Sequence, residues 1–483
     1  MTVVEELNGY NTQPYSKKLM EDYLRKLNHD DEYIAMMSDI LDTLETVMER
    51  HNVKEESINW DREGLKLEDN KVILPGEMSK IVDEIVKDNQ LYSFFLPEEF
   101  GGMGVSGFMI GPLTEKLAYY DLPLQMLIMV GFSILEPLFL YHQPSFDKVI
   151  NEFAEGKRLG YVAFTEPQAG SNLAKVKSTS EKVGDEYVLN GTKIFISNGG
   201  YANTGLFLAR NMVDGKEEGT NVFLVDNLDN IDVLRLEEKT GLHANPTAQL
   251  HFENVTVPED YLVATRGDGY RKVLERLLGM RVGVSFQGLA ASERAYSLAL
   301  EYAQNREQFD RPIIQFPDVN RKLDEMKKQI PRMQDYTYRA AYALDKYLKG
   351  WVPTDVGANG KKGAEEEAAK MVLGAVRGGI AHYYASSAKI YSTEIANSVL
   401  YDAVQIFGGM GFVAETAVNK ISRDIRVLPI YEGTSEIHNW LIGRSQQAID
   451  MIPSLKRPYR QYEDSTIYER YLFDRFPGLQ DKI

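Results

Sequence analysis

The stretch GYVAFTEPQAGSNL, Gly160–Leu173, is where the pattern of the chain changes. Upstream, from Tyr33 to about Glu155, apolar residues recur at helical spacing, as in IAMMSDILDTLETVM (Ile34–Met48) and MSKIVDEIVK (Met78–Lys87). The segment PEEFGGMG, Pro97–Gly104, interrupts that pattern. Downstream, short β-rich runs follow one another to about Pro258: GYVAF, EYVLN, TKIFIS, GLFLAR, NVFLVD and QLHFENVTV. Asn190-Gly191 between YVL and TKIFIS reads as a two-residue hairpin, because both residues tolerate positive φ. From Gly269 to about Ile449 the helical period returns in long stretches. The expected fold is therefore α+β: an N-terminal helical domain with an extension (1–158), a middle antiparallel β domain (159–265), a C-terminal helical bundle (266–450) and a tail (451–483). KGWVPTDVGANGKKG, Lys349–Gly363, reads as an exposed loop between two helices.

Composition narrows the function. With 54 basic against 71 acidic side chains, the chain carries a net charge of −17, which disfavours nucleic acid or an anionic membrane as partner. The absence of cysteine excludes disulfides, thiolate metal sites and cysteine nucleophiles. The seven histidines (29, 51, 142, 243, 251, 382 and 438) show no ligand spacing, so no metal site is expected. The start MTVVEELNGYN shows no secretory signal. Leu122–Tyr141 imitates a membrane span, but it carries Gln125 and Glu136 and is interrupted by Pro137, so a buried helix is expected. The expected location is cytoplasmic.

Three constellations carry chemistry. FTEPQAGSNL (Phe164–Leu173) with KIFISNGG (Lys193–Gly200) offers hydroxyls, freed backbone amides and an aromatic ring to a planar hydrogen-bonding ligand; it also reads simply as turns. YDAVQIFGGMGF (Tyr401–Phe412) ends a helix in glycines, which reads as a C-cap. RDIRVLPIYEGTSEIHNWLIGR (Arg423–Arg444) sets Glu432 directly after the apolar run VLPI. A carboxylate held at an apolar wall gains proton affinity and can serve as a general base; a solvated loop glutamate is the plainer reading.

Taken together, in this order, PEEFGGMG, FTEPQAGS, NGTKIFISNGG, LHFENVTVP, NREQFDRPI, QIFGGMGF and IYEGTSEIHNWLIGR closely resemble the acyl-CoA dehydrogenase family, over about Trp60 to Arg444. The resemblance implies a helical domain, a β-barrel domain and a helical bundle, with FAD as cofactor. It further implies dehydrogenation of an acyl-CoA thioester to the 2-enoyl-CoA, in fatty acid metabolism. Glu432 would take the α-proton and the flavin the β-hydride. Phe164, Thr165 and Ser171 would meet the isoalloxazine, with Phe195 and Ser197 flanking it. Arg306, Gln308 and Phe309 would grip the diphosphate and adenosine of a neighbouring subunit's FAD, with Gln405 and Gly409 at the adenine end. Thr434 and Glu436 would complete the cofactor site. Ser171, Arg281, Tyr431 and Gly433 would border the substrate. A homo-oligomer, dimer or tetramer, and an electron-transferring flavoprotein as acceptor are implied by the same likeness.

The chain departs from the family pattern in places. Phe195 stands where tryptophan is common, Ser197 where threonine is, and Leu278 where an aspartate often contacts CoA. Some relatives carry the base just before the helix arginine; here that residue is Met280. The early extension and the Lys349–Gly363 insertion look more like the longer members. Gly102, Gly104 and Gly107 spell G-x-G-x-x-G, but no βαβ alternation surrounds them. The alternatives within the fold are an acyl-CoA oxidase using oxygen, a flavin monooxygenase, and a non-catalytic flavin- or acyl-binding scaffold.

Overall fold

The computed structural model describes residues 17–263, 266–267, 269–348 and 364–450, with the backbone alone for 270–277, 346–348, 364–380 and 444–450. The insertion Lys349–Gly363 and the tail from residue 451 lie outside the described residues. The N-terminal part holds α1 (Lys17–Lys26), α2 (Asp31–Arg50), α3 (Val53–Glu63) and a small hairpin of β1 (Lys66–Glu68) and β2 (Lys71–Ile73). It continues with α4 (Met78–Asp83), α5 (Ile110–Tyr120), α6 (Leu122–Leu140) and α7 (Asp147–Ala154).

Helix α6 is the apolar segment. Asp121 caps it, its carboxylate accepting from Leu124 N at 3.0 Å. Contrary to expectation, Pro137 does not interrupt the helix, which runs on to Leu140. Proline in the last turn removes only one backbone hydrogen bond there, so the helix survives it. Among the described residues this is the one helix long and apolar enough to cross a membrane, and 78% of that window is buried inside the fold.

The middle part is one sheet of eight strands: β3 (Gly160–Ala163), β4 (Thr179–Val183), β5 (Glu186–Ser197), β6 (Thr204–Val213), β7 (Lys216–Val225), β8 (Ile231–Leu236), β9 (Thr247–Pro258) and β10 (Leu262–Val263). The strand order is β10-β7-β6-β4-β5-β9-β8, with β3 beside β6. This corrects the expected antiparallel barrel in two respects. The sheet does not close, since β10 and β8 are its edges. And β3 and β4 both run parallel to β6, pairing with its two halves (Gly160↔Thr204 and Thr179↔Arg210). Alternation along a strand reports which face is buried, not the direction of its partner. The result matters for the site: β3 and β4 follow one another along one side of β6, so residues 164–178 form an excursion between two collinear strands.

A second correction concerns Asn190-Gly191. β5 runs straight through it, paired with β9, and the register shifts between Leu189 and Gly191. The dipeptide is a bulge, not a hairpin. Gly191 has φ +150, and a Cβ there would fall 2.1 Å from Ser178 Oγ, so close approach of Ser178, just before β4, and not a turn, requires the glycine. The hairpin turns lie at Gly184-Asp185 and Asp214-Gly215. Tyr187, Leu189, Phe207, Phe223, Leu250 and Phe252 fill the core of the sheet.

The C-terminal part is a bundle of α8 (Gly269–Asn305), α9 (Pro317–Leu348), α10 (Ala364–Phe407) and α13 (Ser435–Asp450), with the hairpin β11 (Glu307–Gln308) and β12 (Arg311–Pro312) after α8. The short α11 (Gly409–Phe412) and α12 (Ala417–Asp424) precede the loop to α13. Its apolar side chains share one core with the N-terminal helices. A buried ion cluster pins the parts together: Lys420 Nζ lies 2.6 Å from both Asp121 and Asp424, and Asp424 accepts from Leu242 N at 2.5 Å.

Candidate active site

Glu432 sits in the loop between α12 and α13, in a left-handed conformation with φ 54, followed by Gly433 at φ 102. A non-glycine residue there needs its surroundings to hold it, and three donors do. Arg281 Nε, from α8, donates to Glu432 O at 3.3 Å. His438 Nε2, from the first turn of α13, meets the same oxygen at 3.2 Å. Lys389 Nζ, from α10, donates to Gly433 O at 2.5 Å. Because the partner is a carbonyl, His438 carries its proton on Nε2, with Nδ1 3.0 Å from Ser386 Oγ. Burial, with the cations Arg281 and Lys389 nearby, pushes His438 down to about 2, so the ring stays neutral.

The carboxylate of Glu432 is enclosed although the residue as a whole is half-buried: Oε2 has essentially no solvent contact and no hydrogen-bond partner among the described residues. Burial raises its proton affinity, opposed by the charges of Arg281 and Lys389. Its backbone N–H likewise meets no acceptor among the described residues. Arg281 is occupied on its far side by His382 Nδ1 at 3.4 Å, and burial together with that cation pushes His382 down to about 4. Tyr431 donates its hydroxyl to Gln287 Oε1 on α8, and Gln287 Nε2 donates to Gln125 Oε1 on α6 at 2.7 Å. The loop therefore brings Glu432, Tyr431, Gly433 and Arg281 into one cluster. Thr434 accepts from Ile437 N at 3.4 Å as a helix cap, and Glu436 is exposed on the first turn of α13.

A second cluster stands on the sheet. Phe164 is buried, Thr165 half-buried and Ser171 exposed on the excursion after β3. Thr165 O accepts from Ile194 N at 2.9 Å, which pins the excursion to β5. Phe195 has φ 59 at a second register shift of β5, and this bulge turns its ring outward to 61% exposure. Ser197 follows two residues on. Beneath them Lys193 is fully buried and donates to Glu166 Oε1 at 2.8 Å, Leu208 O at 2.6 Å and Phe164 O at 3.3 Å. Glu166 also accepts from Lys177 N at 2.5 Å and from Ser178 N at 3.0 Å. Burial opposes its charge, but Lys193 and these donors prevail and hold the carboxyl at about 2. Asn198 Nδ2 donates to Gly160 O and Leu127 O, both at 2.9 Å. Helix α6 thus touches both clusters, through Gln125 and through Leu127.

The third group lies at one end of the bundle. Arg306, Gln308 and Phe309 form the exposed β11–β12 hairpin, with Phe309 at 87% exposure, and Gln405 and Gly409 are exposed at the end of α10 and on α11. Tyr302 stacks on Phe407 at 4.2 Å, which ties the end of α8 to the end of α10 and brings these five residues to the same end. Among the described residues, no hydrogen bond or ion pair links them to Glu432 or Thr165. A shallow depression lined by Thr43, Arg50, Glu84 and Asp88 lies apart from all three groups.

Sequence reading passed over Lys193, Glu166, Asn198, Lys389, His438 and Gln287. The available signal was a lone charged residue inside an uncharged run, as Lys193 in TKIFIS or Lys389 in SSAKIYS, which by itself does not say what the side chain meets.

Comparison with known proteins gives the cluster a context. Family models described as the acyl-CoA dehydrogenase middle domain and C-terminal domain match residues 162–255 and 267–447. An acyl-CoA dehydrogenase of Bacillus subtilis is 30% identical over 352 residues, covering 72% of this chain and 85% of the relative. A 3-methylmercaptopropionyl-CoA dehydrogenase of Ruegeria pomeroyi is 34% identical over 417 residues, covering 80% of this chain and 66% of the relative. The solved structure of butyryl-CoA dehydrogenase from Megasphaera elsdenii superposes with a TM-score of 0.71 at 26% identity, covering 85% of this chain and 98% of that one. Fold, domain matches and relatives agree, and the chain belongs to the acyl-CoA dehydrogenase family of flavoprotein oxidoreductases.

Proposed function

We propose that this chain removes two hydrogens across the α,β-carbon bond of an acyl-CoA thioester, giving the 2-enoyl-CoA, with Glu432 as the base for the α-proton. The observation that carries the reading is the enclosed Oε2 of Glu432, a buried carboxylate oxygen without a partner on a turn held by three donors. A buried group left unsatisfied is costly, and such groups belong to sites that await a ligand. The α-proton beside a thioester is too weakly acidic for a carboxylate in water. The free N–H of Glu432 would donate to the thioester carbonyl and stabilise the charge that develops there. Exclusion of water by the acyl group then raises the basicity of the carboxylate. Arg281, Tyr431, Gly433 and Ser171 would border the substrate.

The chain's residues fit FAD. The hydroxyls of Thr165, Ser171 and Ser197 make no hydrogen bond among the described residues, and the ring of Phe195 stands exposed on the same strand as Ser197. Hydrogen-bonding groups beside an aromatic face suit a planar polar ring. When bound, FAD supplies the acceptor for the β-hydrogen and its electron pair. Phe164 and Thr165 would hold its ring, with Thr434 and Glu436 completing the site. Arg306, Gln308 and Phe309, with Gln405 and Gly409, would hold the diphosphate and adenine end of a second copy's cofactor. Their exposure in the single chain supports an oligomer. The Tyr431–Gln287–Gln125 chain beside the base favours a short acyl group. A longer one entering there would break it and strand buried amides, at about 1–3 kcal/mol for each. Electrons would pass on to an electron-transferring flavoprotein.

The test is anaerobic. Wild-type holoenzyme should lose its flavin absorbance with a short acyl-CoA, whereas Glu432→Gln should bind FAD normally and stay yellow. A Glu432→Gln enzyme that bleaches at the wild-type rate refutes the assignment. Rapid re-oxidation of the wild type in air with peroxide release would make it an oxidase.

A further inference from the structure

Four lysines of this fold, Lys239 half-buried and the other three buried, have their ammonium groups met by acceptors to different degrees. Lys193 has a carboxylate and two carbonyls, Lys420 two carboxylates, and Lys239 the Asn245 carbonyl at 2.5 Å and the Thr247 hydroxyl at 3.0 Å. Lys389, fully buried in the middle of α10, has one acceptor among the described residues: Gly433 O at 2.5 Å. An ammonium with three donors and a single carbonyl is poorly compensated for its lost hydration. A methionine of similar length would pack there at lower cost, so stability does not explain the residue. Its location does: the carbonyl it holds belongs to the residue after Glu432, on the left-handed turn.

We propose that Lys389 is a positioning residue for the reaction, its ammonium fixing the Gly433 carbonyl and thereby the direction of the Glu432 carboxylate, while its charge favours the ionised form of that base. This rests on the assignment of Glu432 as base. The groups facing Glu432 come from three elements besides its own loop. Arg281 stands on α8 with His382 behind it, Lys389 on α10, and neutral His438 on α13; Tyr431 precedes the base, and the charges of Glu394 and Glu436 act on Lys389. Only Arg281 and Lys389 oppose the effect of burial on Glu432. Burial pushes Lys389 itself down to about 7, against the pull of Glu432. The sign follows: a base acts when ionised, so losing one of two opposing cations keeps Glu432 protonated to higher pH.

Three variants of the FAD-loaded enzyme test this. Lys389→Gln keeps a donor and loses the charge, Lys389→Met loses both, and Glu432→Gln is the control. The first readout is the pH dependence of anaerobic flavin bleaching by butyryl-CoA. The second is independent of turnover: the infrared band of the protonated carboxyl that vanishes in Glu432→Gln, followed against pH. Both Lys389 variants should move the acid limb and the infrared titration upward by roughly one pH unit. Lys389→Met should in addition lose roughly ten- to hundredfold in rate at its optimum, because the turn has lost its hold. Should Lys389→Met not fold, Lys389→Gln decides. An unshifted titration, or a uniform loss of rate at every pH, makes Lys389 a structural residue and overturns the proposal. A Glu432→Gln enzyme that still bleaches overturns the base assignment and this proposal with it. A dead Glu432→Gln beside an unshifted Lys389→Gln overturns this one alone.

Discussion

Replacing Lys193 by methionine should loosen the flavin-side excursion while leaving the Glu432 cluster intact. Lys193 and Glu166 are almost completely buried and 2.8 Å apart. The fold holds Glu166 at about 2 against an ordinary 4.5, a depression that contributes about 3 kcal/mol near neutral pH. Lys193 is pushed from 10.5 down to about 8, a depression of the same size, which for a base destabilises the fold by about as much below pH 8. The two offset, so the pair as a whole contributes little at pH 7. Breaking it is different: Lys193→Met strands a buried carboxylate and should cost about 3–5 kcal/mol. Lys193→Met/Glu166→Gln removes both charges and should recover most of that loss. The loss is local, so the assay is hydrogen exchange of peptides covering β3 to β6, with FAD affinity of the apoprotein alongside. The sign with pH is also defined. Glu166 has a depressed value, so its contribution is complete above about 4.5 and fades as pH falls toward 2. A Lys193→Met protein that loses less than about 1 kcal/mol, or a double variant as weakened as the single, refutes the reasoning.

Gln287→Ala opens the Tyr431–Gln287–Gln125 chain and should shift kcat/KM toward longer acyl chains, measured over a series of straight-chain acyl-CoA substrates; an unchanged ranking removes the chain from the acyl site. Gly191→Ala forces a Cβ to within 2.1 Å of Ser178 Oγ and 2.8 Å of its Cα. It should therefore cost roughly 1–3 kcal/mol in the sheet, and it should weaken FAD binding because Ser178 also bonds Glu166. Urea denaturation and flavin titration measure the two effects.

Most of the architecture is legible in one dimension because burial leaves a period. The helical recurrence in Ile34–Met48 and the continuous apolar run of Gly205–Ala209 each report burial against a core, and those elements form as read. Local signals failed where a distant strand decides. Asn190-Gly191 has the chemistry of a turn, yet β9 and Ser178 hold it as a bulge.

The site divides in the same way. The order of its segments, and a carboxylate after the run VLPI, lie in the sequence by itself, since they depend only on which residues follow one another. Which groups surround that carboxylate is a matter of convergence. Arg281, Lys389 and His438 come from three helices, and no spacing along the chain places them on two successive carbonyls. The charge state of each follows from that meeting as well, because proton affinity is set by the water removed and the charges brought near, and both exist only once the chain has folded.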